Sequence, residues 1–124
     1  MQEEQKPVQA ATQAATSDPD IAQLKATYGK VYRVNFDPND PASDVFYVRR
    51  LRRQEHRRIA ELVENTEPRF RNDMAEEKIV ETAVVWPKLP TDFPSTSPTG
   101  YVPMLAAQIL EISGFSKAVE VTEV

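Results

Sequence analysis

The stretch that decides the fold is Lys30-Val-Tyr-Arg-Val-Asn-Phe36, followed by Asp37-Pro-Asn-Asp-Pro-Ala-Ser-Asp44 and then Val45-Phe-Tyr-Val48. The first run alternates, so Tyr32, Val34 and Phe36 share one face and Val31 and Arg33 the other. The middle octet is turn chemistry throughout. The second run is aromatic and β-branched, as strands prefer. Two strands around a polar loop predict an antiparallel hairpin. A hairpin alone is unstable in water, so helices must cover one face.

Working outward, three helices are predicted. The first covers Arg52 to Asn65, with Leu51, Glu55, Ile59, Leu62 and Thr66 near one line, Val63 beside them, and Pro68 as its stop. The second covers Asp73 to Trp86. Asp73 is its cap, Glu76 completes a capping-box spacing, and Ala75, Ile79, Ala83 and Trp86 make a stripe. Trp86 then reads as a core anchor at a helix end. Residues 87–100 hold four of the ten prolines and read as a loop without helix. The third helix opens at Pro103 and stops at Gly114. Between them only Gln108 and Glu111 are polar before Ser113. A helix apolar around most of its circumference must be buried on several sides. Met104, Leu105, Ile109 and Ile112 are expected to face the hairpin and the second helix. That leaves Ala106, Ala107, Leu110 and Phe115 as a patch for a partner. The fold class that follows is α+β: a two-stranded antiparallel hairpin packed on about three helices.

The chain has 124 residues, enough for one compact domain. Residues 1–20 read as a disordered arm, because Gln9-Ala-Ala-Thr12 repeats as Gln13-Ala-Ala-Thr16 and no aromatic, Leu or Ile is present. Residues 21–115 read as the domain, and 116–124 as a flexible or short-strand tail. Met1 to Ala10 is polar and acidic, unlike a signal peptide, and no apolar run approaches membrane-spanning length. A soluble intracellular protein is expected.

Residue chemistry argues against catalysis. With no Cys, disulfides, thiolate zinc sites and cysteine nucleophiles are excluded together. His56 is the single histidine, so no two-histidine metal motif exists, and it has no nucleophile at a readable spacing. Gly29, Gly100 and Gly114 are too scattered for a phosphate-binding loop. A calcium loop starting at Asp37 needs Gly at its sixth position and Glu at its twelfth, where this chain has Ala42 and Val48. Glu76, Glu77 and Glu81 read as a solvated helix face rather than paired catalytic carboxylates. Thr122-Glu-Val124 matches a C-terminal peptide type that PDZ grooves accept, a match that three residues make often by chance. No cofactor and no metal are expected.

The net charge of −4 conceals an asymmetry. Val45 to Arg58 carries a balance of +5, and Glu61 to the end carries −6. The positive run is Arg49-Arg-Leu-Arg-Arg-Gln-Glu-His-Arg-Arg58. Glu55, Glu61 and Glu64 lie within helical reach of several of these arginines, which predicts an ion-paired, solvated face. Arg49, Arg50, Arg52 and Arg53 are assigned to contacts with an acidic protein or another copy of the chain. A clamp on nucleic-acid phosphates stays open as the less favoured alternative.

The order of elements resembles that of small assembly proteins of tailed bacteriophages. The likeness rests on the strand pair, Lys30 to Phe36 and Val45 to Val48, followed by a charged helix. Glu76-Glu-Lys-Ile-Val-Glu-Thr-Ala-Val-Val-Trp-Pro87 is similar to an acidic helix ending in a W/L-P step. Pro98-Thr-Gly-Tyr-Val-Pro-Met-Leu-Ala-Ala-Gln-Ile-Leu-Glu-Ile-Ser-Gly-Phe115 is similar to the pattern P-x-G-x-x-x-x-L-x-x-x-I-x-x-x-S-G-F. The resemblance spans roughly residues 28–115, and the Gln/Ala/Thr arm departs from it. It implies a tail assembly chaperone that binds the tape measure protein without catalysis, working in the host cytoplasm. A tail or baseplate subunit retained in the virion and an Arg-rich nucleic-acid regulator are the alternatives. The implied partners are tail proteins or further copies of the chain, with no membrane involved. The surface assigned to them is Leu110, Ala106, Ala107 and Phe115, with the four arginines above.

Overall fold

The computed structural model describes residues 19–40, 43–115 and 121–124. The expected disordered arm lies outside the described residues except for Pro19 and Asp20, as do residues 116–120 of the tail. The elements in chain order are helix α1 (Ile21–Tyr28), strand β1 (Val31–Asn35), strand β2 (Val45–Arg49) and helix α2 (Arg53–Glu64). A 3-10 turn (Pro68–Phe70) leads into helix α3 (Arg71–Ala83) and strand β3 (Val84–Trp86). A short helix α4 (Phe93–Thr96) and helix α5 (Tyr101–Ile112) complete an α+β architecture.

The predicted hairpin forms, with Val31 opposite Arg49, Val34 opposite Phe46 and Asn35 opposite Val45. Its loop is held by its own side chains. Asn35 Oδ1 accepts from Ser43 Oγ at 2.6 Å and from the Asp37 N–H at 3.1 Å, while Asp37 Oδ1 accepts from the Asn39 N–H at 3.1 Å. Short polar side chains replace backbone partners here, as in Asx turns.

A third strand stands where the helix was predicted to continue. Val84-Val-Trp86 pairs antiparallel with β2, Tyr47 opposite Trp86 and Val48 opposite Val84, so the sheet order is β1-β2-β3. Two β-branched residues and a Trp suit a pleated surface, and the residue before Pro87 is kept out of the helical region. Trp86 is therefore not a core anchor at a helix end. It is half-buried and lies edge-on to Tyr47, with ring centroids 5.8 Å apart.

Three other elements depart from expectation. Helix α1 was not predicted; the Asp20 carboxylate caps it by accepting from the Gln23 N–H at 3.1 Å, and Gly29 ends it with φ +85°. Helix α3 starts at Arg71, because the 3-10 turn opened by Pro68 runs straight into it. Asp73 thus sits inside the first turn, favourable to the helix dipole, and caps nothing. Residues 87–100 are not free of helix, since α4 forms there and buries Phe93. In the tail, residues 121–124 have no regular structure, so the strand considered there is not formed in that part.

The core lies between the sheet and the helices. Phe46 and Val48 point inward from β2, joined by Tyr32, Val34 and Phe36 on the face that alternation predicted. Ile79, Val80 and Ala83 of α3 and Val102, Leu105, Ala106 and Ile109 of α5 close over them. Helix α3 lies between α2 and α5, packing against both. Phe36, Phe46, Phe93 and Tyr101 form one aromatic cluster, with Phe46 edge-on to both Phe93 and Tyr101. Polar contacts pin both ends of α5. The Tyr101 hydroxyl donates to buried Asp44 Oδ2 at 2.6 Å, and Ser113 Oγ accepts from the Leu51 N–H at 2.9 Å.

Candidate functional site

The arginine run divides into one largely buried member and a set of exposed ones. Arg49 Nη1 and Nη2 donate to Glu55 Oε1 and Oε2 at 3.0 and 2.8 Å, and Nη2 also donates to the Thr82 carbonyl at 3.1 Å. Its side chain is 15% exposed. The hydrogen bonds from Arg49 are the main reason Glu55 is lowered to about 2, with a further one from the Arg52 N–H at 2.8 Å. The Arg49 guanidinium is raised in turn, chiefly by its hydrogen bond to Glu55. Arg49 joins β2, α2 and α3, and its guanidinium is bonded within the fold.

Arg50, Arg52, Arg53, Arg57 and Arg58 are exposed. Among the described residues neither Glu61 nor Glu64 forms an ion pair with any of them, so the expected neutralised face is not built. Arg50 lies over the Tyr32 ring at 5.8 Å. His56, half-buried, stacks on Phe115 with ring centroids 4.8 Å apart.

The apolar residues assigned to a partner on α5 separate in the same way. Ala106 is buried in the core and Leu110 is half-buried against it. Ala107 is exposed, and Phe115 is 59% exposed despite its contact with His56. Met104, expected to face the hairpin, is 53% exposed. The outer face of α5 therefore carries Met104 and Ala107 together with Pro103, Gln108 and Glu111, and Phe115 lies one turn beyond its end. The buried stripe is Val102, Leu105, Ala106 and Ile109, so the small Ala106 takes a core position and the longer Met104 does not.

Sequence reasoning missed a groove of about 560 Å³ between α3 and the segment that follows β3. Its apolar lining includes Val84, Val85 and Leu89, and its rim carries Glu77, Lys78, Glu81 and Lys88. Lys78 Nζ donates to Glu81 Oε1 at 3.0 Å on that rim. Beside it lies a smaller cavity of about 340 Å³ bordered by Lys30, Arg50 and Arg52, and Tyr28 lines both. Nothing in local periodicity marks this site, because β3 and α1 build it and neither was predicted. Asp20 as a cap followed by Gly29 as a stop was the available signal for α1.

The acidic face of α3 is less solvated than predicted. Glu76 and Glu77 are half-buried, and burial, with Asp73 and Glu77 nearby, pushes the Glu76 carboxyl up. Among the described residues, no three His, Asp or Glu side chains gather as metal ligands, and no helix is long and apolar enough to cross a membrane. The chain matches no protein family, no curated protein and no solved structure.

Proposed function

We propose that this chain is a non-enzymatic assembly protein of the tailed-phage type, which binds an apolar helical segment such as that of a tape measure protein. The observation that carries the reading is the outer face of α5, where exposed Met104 and Ala107 lie one turn apart and Phe115 stands exposed beyond the helix end, with Gln108 and Glu111 as polar neighbours. A small residue beside a large apolar one lets a second helix approach closely, and Met adapts its shape to varied partners. The resemblance of the 98–115 segment to phage assembly proteins points the same way. Retention in the virion as a tail or baseplate subunit uses the same face.

Co-expression with candidate tape measure segments and affinity capture tests this. The wild type is expected to retain the segment and Ala107→Glu to lose it, with an unchanged far-ultraviolet spectrum. Equal capture by both proteins removes α5 as the binding face.

Five exposed arginines that form no ion pair among the described residues favour one second reading, a nucleic-acid-binding regulator. That reading requires affinity for duplex DNA or RNA that falls steeply with salt. Absence of such binding at low ionic strength excludes it.

A further inference from the structure

The groove and the cationic cavity meet at Tyr28, whose side chain is exposed at the junction. One side of the junction is apolar, with Val84, Val85 and Leu89. The other is positively charged, with Lys30, Arg50 and Arg52, while the Glu55 carboxylate is already bound by Arg49. A segment with apolar residues followed by a carboxylate fits this sequence of environments. The chain carries such a segment in Ala118-Val-Glu-Val-Thr-Glu-Val124. Extended, it places Val119 and Val121 on one side and Glu123 further along that side, roughly 7 Å beyond Val121. Glu120 falls on the opposite side. Val121 is 89% exposed and Val124 wholly so, leaving these side chains uncovered within the chain.

We infer that segment 118–124 of one copy docks as an extended strand into the groove of a second copy, its valines on Val84, Val85 and Leu89 and Glu123 among Lys30, Arg50 and Arg52. The contact joins two different surfaces, so it closes as a dimer where two copies exchange tails and extends into rings or open chains where they do not. It uses neither Met104 nor Ala107 and stands or falls separately from the assembly reading.

Sedimentation velocity of the full chain is the test, run across protein concentration at about 50 mM and about 500 mM salt, where screening differs strongly. Mass is expected to rise with concentration at low salt and to fall back at high salt. Glu123→Arg is expected to weaken association about tenfold or more, Arg50→Glu with Arg52→Glu to do the same, and Glu120→Arg to do much less. Mixing the Glu123→Arg protein with the Arg50→Glu/Arg52→Glu protein is expected to restore association, because each reversed tail then meets a reversed pocket. A wild type that stays monomeric at every concentration overturns the proposal, as does association indifferent to Glu123→Arg or unrestored by mixing.

Discussion

Arg49 and Glu55 meet through two parallel hydrogen bonds, 3.0 and 2.8 Å long, across the bend between β2 and α2. The same carboxylate accepts from the Arg52 N–H and so completes the start of α2, while Arg49 reaches on to the end of α3. A single ion pair thus ties the end of β2 to the start of α2 and the end of α3.

Arg49→Gln is expected to cost about 1.5–3 kcal/mol, the range for hydrogen bonds to charged groups. Glu55 is lowered to about 2 in the folded protein, from 4.5. Its contribution is therefore complete above pH 4.5 and is lost as pH falls through about 2. Urea denaturation should show the full difference between wild type and variant at pH 7, narrowing between pH 4.5 and pH 2.

The Glu76 carboxyl is raised by burial and by its acidic neighbours, so the sign is reversed. Folding is opposed by its charge at neutral pH and not in acid. Glu76→Gln should melt higher than the wild type at pH 7, with the advantage vanishing below the ordinary carboxyl range. Thermal denaturation at several pH values measures this.

Tyr101→Phe removes the donor that meets Asp44 at 2.6 Å inside the protein. Leaving a buried carboxylate without that partner should cost about 1–3 kcal/mol. Chemical denaturation reads the loss, and an unchanged midpoint would show that Asp44 is satisfied without Tyr101.

Along α5, neighbouring substitutions should behave oppositely. Ile109→Ala, at a wholly buried position, should cost about 2–5 kcal/mol, whereas Ala107→Glu on the outer face should stay within about 0.5 kcal/mol of wild type. Leu110→Asp places a charge against the core and should destabilise strongly. Equal costs at positions 107 and 109 would contradict the observed burial along this helix.

The hairpin, the first predicted helix and the Gly114 stop were legible because each carries a local signal: alternation, an apolar line, and a residue that accepts φ +105°. The exchange from helix to strand after Ala83 was not, since Ala83 and Trp86 also continue a helical stripe. The unpaired edge of β2 decided it, and that edge exists only in the folded chain. Phe93 likewise makes a short helix among prolines because the core takes up its ring. For the binding surface, the arginine run was legible as charge but not as pairing. Whether Arg49 or Arg50 meets Glu55 depends on which side of the strand each residue occupies.

Helix α5 supplies Leu105, Ala106 and Ile109 to a core whose other members begin with Tyr32, so the contacts that seal the hairpin span much of the chain. During synthesis the hairpin and the α3 surface leave the ribosome before their cover does. Until residue 112 has emerged, Phe46 and Val48 have only a partial roof. Closure is then a late, long-range event, slow by the standards of helical bundles, and the nascent chain is most exposed to association with its neighbours just before it folds.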